Sequence, residues 1–189
     1  MTEAEAVAAL RAGQPVGLEF LMSLYELSAL RVAVAITADR TLAEDVVAEA
    51  FIKVHQRIGR YDSNRAFGPW LHGIVTKEAL NAARKARNYE KLTSLLGRQP
   101  RTMPGPEEII EQNELHRLMT KAVRSLPPNE RAVISLRYLV GMDEKAVANS
   151  LGWPLGTVKT RLHRGRMRLR EQVGGELQTY LGPGLAQEA

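Results

Sequence analysis

The chain has 189 residues, of which 44% are hydrophobic and only 5% aromatic, so its length permits one domain or two small ones with an aliphatic core. Its formal net charge of +5 favours a polyanionic partner. Because the chain contains no cysteine, disulfides, zinc–thiolate sites and cysteine nucleophiles are excluded. The abundance of helix-forming residues and the lack of β-branched runs predict an all-α protein.

The N-terminal segment gives no sign of membrane targeting. Residues 1–5 are acidic and are not followed by the apolar core of a signal peptide. The most apolar stretch, residues 27–38, contains Arg31 and is expected to be too short to span a bilayer. We therefore expect a cytoplasmic protein without membrane insertion.

The first two helices are predicted from their termini. Thr2 and Glu5 form a capping box for a short helix, which Gly13 ends. Pro15 then precedes a long helical pattern.

A third helix is predicted from a second capping box. Thr41 and Glu44 open it, and it runs to about Ile58. Its buried stripe follows the helical period and consists of Val47, Phe51, Val54 and Ile58.

Residues 59–68 have the composition of a loop, and Pro69 suits the first turn of a further helix that ends near Asn88. The residues of this helix that are expected to pack inward are Leu71, Ile74, Val75 and Leu80.

A segment rich in proline and glycine, residues 97–106, cannot form a helix and predicts a linker. The chain is therefore divided into a helical domain (14–91), a linker (92–106), a second helical domain (107–173) and a flexible tail (174–189). The first helix and the tail receive no role.

The second domain contains the pattern of a helix-turn-helix. Asp143 can cap a short helix, residues 152–154 suit a tight turn, and a strongly basic helix follows from Leu155. The apolar face of this basic helix comprises Leu155, Val158, Leu162, Leu169 and Val173. Gly165 lies beside that face, where it permits a close neighbour.

The other face of the basic helix is predicted to read DNA in the major groove, because arginine can bridge guanine, threonine can contact thymine and the remaining cations can bind phosphate. Its candidate residues are Thr157, Lys159, Thr160, Arg161, Arg164 and Arg168. A basic helix that is merely solvated is the alternative, and the helix and turn before it favour DNA binding. His163 is interpreted as a phosphate neighbour or a solvated side chain.

Two blocks of the sequence resemble bacterial RNA polymerase sigma factors of the extracytoplasmic-function (ECF) group. The first comprises residues 43–55, 60–62 and 67–71, and the second comprises 125–131 and 136–170. In order along the chain, the resemblance covers residues 18–171. It implies a protein that binds core RNA polymerase, recognises two promoter elements and helps to open the DNA.

The resemblance also implies how the polymerase is bound. The first domain would dock on the β′ clamp, and the second domain would contact the β flap. The predicted docking face consists of Asp45, Glu49, Ile52 and Gln56. From the residues alone, the two acids could instead simply stabilise a helix N-terminus.

The downstream promoter element would be captured as flipped bases by the loop before the fourth helix and by the helix itself. The residues implied are Tyr61, Asn64, Arg65, Phe67, Trp70, Lys77, Asn81, Arg84 and Lys85. A pocket with hydrogen-bonding groups can offset the cost of unstacking a base, and cations can hold the strand. A core role is the alternative for Phe67 and Trp70, and for Trp70 a core role that fixes the loop is favoured over direct stacking.

The sequence departs from the usual family residues at Ala48, Lys77, Asn81, Ala146 and Pro154. These departures affect the expected promoter sequence and leave the class intact. An anti-sigma factor is an expected partner of such a protein, and no cofactor or metal is expected.

Two other functions compete with this interpretation. A helix-turn-helix regulator without a sigma role would need only the second domain and would leave residues 43–70 unexplained. A basic helical enzyme acting on nucleic acid has no support, because the chain lacks a glycine-rich phosphate loop, a paired-histidine metal motif and a nucleophile elbow.

Overall fold

The computed structural model describes residues 1–95 and 114–181, and its backbone in these ranges is helical without strands, as predicted. The first range contains α1 (Glu3–Arg11), α2 (Pro15–Thr37), α3 (Arg40–Arg57), a 3₁₀ turn (Ile58–Arg60) and α4 (Phe67–Leu95). The second contains α5 (Glu114–Ser125), α6 (Pro128–Tyr138), α7 (Glu144–Leu151) and α8 (Leu155–Leu181).

Helix caps explain most of the boundaries. The predicted capping box of α1 is present, since the Glu5 carboxylate accepts from the Thr2 amide at 2.7 Å. The predicted cap of α7 is also confirmed, with the Asp143 carboxylate accepting from the Ala146 amide at 2.7 Å. The predicted cap of α3 is wrong, because Asp39 accepts from the Leu42 amide at 2.9 Å and starts the helix before Thr41.

Two helices are longer than predicted. α4 begins at Phe67 rather than Pro69 and continues through Asn88 to Leu95, into the predicted linker. No glycine or proline lies between those last two residues, so nothing in the sequence stops the helix there. α8 likewise extends to Leu181, past the predicted end at 173. The rest of the predicted linker and the last residues of the predicted tail lie outside the described ranges.

α2 lies at the centre of the first half, with α1, α3 and α4 packed against it. Its small residues let neighbours approach closely: a Cβ atom on Gly17 would lie 2.6 Å from the Leu10 backbone nitrogen in α1. The predicted buried stripe of α3 is confirmed, since Val47, Phe51, Val54 and Ile58 are all buried. In α4, Leu71, Ile74 and Val75 are buried and Leu80 is half-buried.

The apolar character of α2 corrects one sequence expectation. The helix has 23 residues and a mean hydropathy of 1.5, so by length and composition alone it is long enough to cross a membrane. The structure therefore corrects the length of the apolar helix, whereas residues 27–38 alone are still too short to span a bilayer. α2 packs against α1, α3, α4 and α6, and 28% of its most apolar window is buried in these contacts.

In the second half, α7 and α8 form the predicted helix-turn-helix, and α6 packs along α8. The close neighbour expected at Gly165 is Ile134 of α6, whose Cγ1 atom would lie 3.0 Å from a Cβ atom on the glycine. On the predicted apolar face of α8, Val158 and Leu162 are buried, as predicted, while Leu155 and Leu169 are half-buried. The side chain of Val173 is outside the description.

The two halves also pack against each other, which the sequence did not indicate. α6 contacts α2 and α4, and α7 contacts α4. The closest approach involves Gly73 of α4, where a Cβ atom would lie 2.6 Å from the Ser150 carbonyl oxygen of α7. The buried apolar residues of both halves therefore form one continuous cluster.

Several polar groups of α4 and α6 are buried in this arrangement. The hydroxyl oxygens of Thr76 and Ser135 and the Nε atom of Arg131 have no hydrogen-bond partner among the described residues. Burial lowers the pKa of Arg131, and the neighbouring charges of Arg87 and Arg124 lower it further. Since unpaired buried polar groups cost stability, we expect the contact between the halves to separate more easily than an apolar core.

Replacement of Gly73 by alanine tests this contact. The added Cβ atom would collide with the Ser150 backbone, so we expect α4 and α7 to separate and the protein to lose about 1–3 kcal/mol of unfolding free energy. Urea unfolding measures the stability, and small-angle X-ray scattering measures the radius of gyration. Gly156→Ala is the control, because that helical position is open. Equal stability and equal size of the two variants would contradict the packing.

Candidate nucleic-acid and polymerase interfaces

The predicted DNA-reading residues of α8 lie near the start of the helix. Lys159, Thr160 and Arg164 are exposed, while Thr157 and Arg161 are half-buried at its edge. The Thr160 hydroxyl donates to the Gly156 carbonyl at 2.9 Å, which leaves its methyl group and a hydroxyl lone pair for another contact.

Arg161 is held by the turn that precedes α8. Its guanidinium carbon lies 4.0 Å from the centre of the Trp153 ring, which is a close cation–π contact. This stacking restricts the rotamers of Arg161 before any ligand arrives. The tryptophan in the turn therefore has a defined task that the sequence did not reveal.

Arg168 has a structural contact in addition to its predicted role as a DNA ligand. Its Nη1 atom lies 2.6 Å from Oε1 of Glu130, whose side chain is 9% exposed. This ion pair ties α8 to α6. A contact between Arg168 and phosphate would compete with it, and a nearly buried carboxylate would then lose its partner.

Further cations surround the predicted face, and of these the sequence indicated only Arg166, as a candidate phosphate contact. Arg137 of α6, Lys145 of α7 and Arg166 of α8 line an open groove together with Lys159. Arg137 donates to the Met142 carbonyl at 3.0 Å, and Arg166 lies 3.9 Å from Glu144. No sequence pattern connects Arg137 and Lys145 to the two α8 residues, because only the fold brings the three helices together.

An aromatic cluster lies below the loop between the 3₁₀ turn and α4. The Tyr61 and Phe67 rings are 5.5 Å apart, and the Trp70 ring lies 5.0 Å from Tyr61. Tyr61 is 6% exposed and Phe67 is fully buried, so neither ring is accessible to a base in this conformation. Trp70 is half-buried and packs against the core.

The loop itself, residues 62–66, is exposed and internally bonded. The Asp62 carboxylate accepts from the Asn64 amide at 3.0 Å and lies 3.4 Å from Arg65 Nε. The buried Tyr61 hydroxyl donates to the Arg65 carbonyl. Asn64 and Arg65 are therefore presented to solvent by a shaped loop.

α4 continues this surface with a polar stripe. Lys77, Asn81, Arg84 and Lys85 are all exposed and recur at the spacing of one helix face. Arg84 Nη2 lies 3.4 Å from the Asn81 side-chain oxygen. These groups present donors and positive charge along the helix that starts at the loop.

The predicted docking residues share the outer face of α3. Asp45, Glu49, Ile52 and Gln56 are exposed, and Ile52 keeps 51% of its surface accessible. Glu49 lies 3.2 Å from Lys53, which is also 2.7 Å from Glu78 of α4. The hydrogen bond to Glu78 is the main reason that the pKa of Lys53 is raised. An exposed isoleucine next to two acids suits a docking surface for a basic partner.

Within the described ranges, no group of three or more His, Asp and Glu side chains is arranged to hold a metal ion.

Comparisons with known proteins match the two halves of the chain to two family models. A family model described as Sigma-70 region 2 matches residues 21–89, and one described as Sigma-70, region 4 matches residues 116–169. The ECF RNA polymerase sigma factor SigW of Bacillus subtilis is 34% identical over 140 residues, which cover 69% of this chain and 75% of SigW. The chain belongs to the ECF RNA polymerase sigma factors.

Solved structures show the same fold for this sigma factor. The sigma factor RpoE of Bartonella quintana, in complex with the anti-sigma factor NepR, superposes with a TM-score of 0.68 at 21% identity over 82% of this chain and 96% of RpoE. CnrH, in complex with the cytosolic domain of CnrY, gives 0.64 at 21% identity over 90% of this chain and 96% of CnrH.

Within this sigma factor, a buried histidine supports the start of α4. The His72 Nδ1 atom donates to the Gly68 carbonyl at 2.7 Å, and Nε2 lies 3.0 Å from the Ser28 hydroxyl of α2. Burial lowers the pKa of His72, although the hydrogen bond to Gly68 opposes this effect. The neutral ring is therefore the form that suits the fold.

This histidine predicts a pH dependence of stability. The unfolded chain takes up a proton near the ordinary histidine pKa of about 6.5, whereas the folded chain does so only at lower pH. The free energy of unfolding should therefore fall as the pH drops below about 6.5, until the folded-state pKa is reached. The loss is about 1.4 kcal/mol for each pH unit that separates the two pKa values.

Urea unfolding between pH 7 and pH 5 measures this slope. His72→Gln should reduce it, and His163→Gln, at an exposed position, should leave it unchanged. Identical slopes for the His72 variant and the wild-type protein would rule out this role.

Proposed function

We propose that this sigma factor binds core RNA polymerase through α3, reads an upstream (−35) element with α8, and captures the downstream (−10) element with the 62–66 loop and α4. The observation that carries the proposal is that one chain presents an acidic, partly apolar face in sigma region 2 and a basic recognition helix in sigma region 4.

The polymerase would supply the catalysis, and this chain would supply promoter choice and strand opening. α3 is suited to docking on the β′ clamp because Asp45, Glu49, Ile52 and Gln56 face solvent together. Region 4 would contact the β flap. Such a protein would act in the cytoplasm, with α2 in its core rather than in a membrane.

In the downstream element, Asn64 and Arg65 would meet an extruded base, and the exposed stripe of α4 would hold the strand. Tyr61, Phe67 and Trp70 would shape the loop from below. At the upstream element, the start of α8 would enter the DNA major groove with Lys159, Thr160, Arg161 and Arg164. The cations Arg137, Lys145 and Arg166, which line the neighbouring groove of the protein, would bind phosphates.

The two elements are separated along a promoter, whereas α4 and α7 are in contact in this structure. Polymerase binding would therefore have to separate the two halves. An anti-sigma factor is proposed as a further partner. This proposal is supported by the similarity to RpoE and CnrH, whose structures were solved with NepR and with CnrY.

Gel filtration distinguishes this function from that of a plain helix-turn-helix regulator. The sigma factor should co-elute with core polymerase and should bind promoter duplex specifically only in that complex. A regulator without a sigma role would bind its duplex alone and would elute apart from the core.

Charge reversal on α3 tests the docking face. Asp45→Arg combined with Glu49→Arg should reduce the affinity for core polymerase at least 100-fold, because two attractive contacts become repulsive. Surface plasmon resonance with immobilised core measures this. The matched control is Glu19→Arg with Glu26→Arg, which reverses two exposed acids of α2. Undiminished core affinity in the α3 variant would overturn the assignment.

Removal of two arginines tests the upstream face. Arg161→Ala with Arg164→Ala should weaken holoenzyme binding to the upstream element by about 1–3 kcal/mol for each arginine that reads a base. Fluorescence anisotropy of labelled promoter DNA provides the measurement. Arg31→Ala with Arg40→Ala removes the same charge from exposed positions of the first half. If both double variants lose affinity equally, α8 does not read the element.

A further inference from the structure

The N-terminal helix lies beside the loop that the proposed function assigns to the downstream element. α1 precedes both ranges that match the sigma family models, which begin at residues 21 and 116. It is nevertheless packed firmly on α2, with Ala6, Val7 and Leu10 buried in the core. What it does for the protein follows from the two polar side chains at its ends.

The end of α1 nearest the 3₁₀ turn carries Arg11. Its Nε atom donates to the Ile58 carbonyl at 3.3 Å, and its Nη2 atom donates to the Tyr61 carbonyl. Its guanidinium carbon also lies 5.8 Å from the centre of the Tyr61 ring. A guanidinium carries several donors in a fixed plane, so it can bind both carbonyls at once and fix the point where the loop begins.

The other end of α1 carries Glu3, which acts where the loop ends. Its carboxylate accepts a hydrogen bond from the Tyr25 hydroxyl of α2. The Tyr25 ring lies 5.6 Å from the Phe67 ring, and its edge would be 3.1 Å from a Cβ atom on Gly68. Glu3 thereby holds the tyrosine that packs against the first two residues of α4.

Tyr61 transmits the position of Arg11 into the loop. Its hydroxyl donates to the Arg65 carbonyl, so a displacement of Tyr61 moves the residue next to Asn64. Further interactions of the loop join the Asp62 carboxylate to the Asn64 amide and to the Arg65 side chain. They are local and exposed, and they do not connect the loop to the rest of the protein.

We propose that α1 is a positioning element for capture of the downstream element, and that Arg11 is its principal positioning residue. Arg11 acts through Tyr61 and does not itself contact DNA. The inference rests on the proposed function, because the 62–66 loop must be the part that meets the extruded base. A loop that already has its binding geometry loses less conformational entropy when the base enters.

The test uses the full chain assembled with core polymerase. A start point found for the wild-type holoenzyme serves as the parent promoter, and its upstream and downstream elements are randomised in separate pools. Sequencing of the transcripts gives the base preference at each position. We compare the wild-type chain with Arg11→Ala, Arg11→Lys and the control Arg31→Ala, which removes an exposed arginine of α2.

Arg11→Ala should flatten the downstream preference and lower output from the duplex parent promoter about tenfold, while the upstream preference stays unchanged. Arg11→Lys keeps the positive charge but lacks the planar guanidinium that can bind two carbonyls at once, so it should restore only part of the downstream preference. In the isolated chain, hydrogen exchange of the amides at 62–66 should be faster in Arg11→Ala than in the wild-type protein.

Three results would overturn the inference. One is an unchanged downstream preference in Arg11→Ala. Another is a parallel loss of both preferences together with a lower melting temperature, which would mean that Arg11 serves only general stability. The third is a wild-type holoenzyme that initiates nowhere, which would remove the proposed function itself and is recognised before any variant is made.

Discussion

The structure depends on the close packing of helices around α2. Ala29 and Ala33 are fully buried there, and Gly17 permits backbone contact with α1. Because these side chains are small, α1, α3, α4 and α6 can all approach one helix. The same helix carries Tyr25 and Ser28, which contact Phe67 and His72 at the start of α4. The core and the candidate downstream site are therefore parts of one packing arrangement, and a defect in α2 would displace the loop.

Helical periodicity and capping allowed much of this fold to be predicted. The stripe of α3 and the cap of α7 follow from local rules, because the residues involved lie within one or two turns of each other. The sequence predicted that Gly165, beside an apolar face, has a close neighbour, but it did not identify that neighbour as Ile134. By contrast, the contact between Gly73 and Ser150 joins residues far apart in the sequence, and neither has a distinctive local pattern.

The candidate sites divide in the same way. Exposed stripes such as Lys77, Asn81 and Arg84 follow from periodicity and lie together as expected. Residue type alone did not show that Tyr61 is buried or that Arg168 pairs with Glu130, because an aromatic ring or an arginine serves the core or an ion pair as readily as it serves DNA. The tasks of Arg11 and Trp153 depend on partners that only the tertiary structure supplies.

Reconstituted run-off transcription tests the central claim most directly. Purified core polymerase, with and without the full chain, is given a library of genomic fragments, and the transcript ends are sequenced. The account predicts discrete start points only when the chain is present, each preceded by the same two separated elements. Start points that do not depend on the chain, or no specific initiation at all, would contradict it.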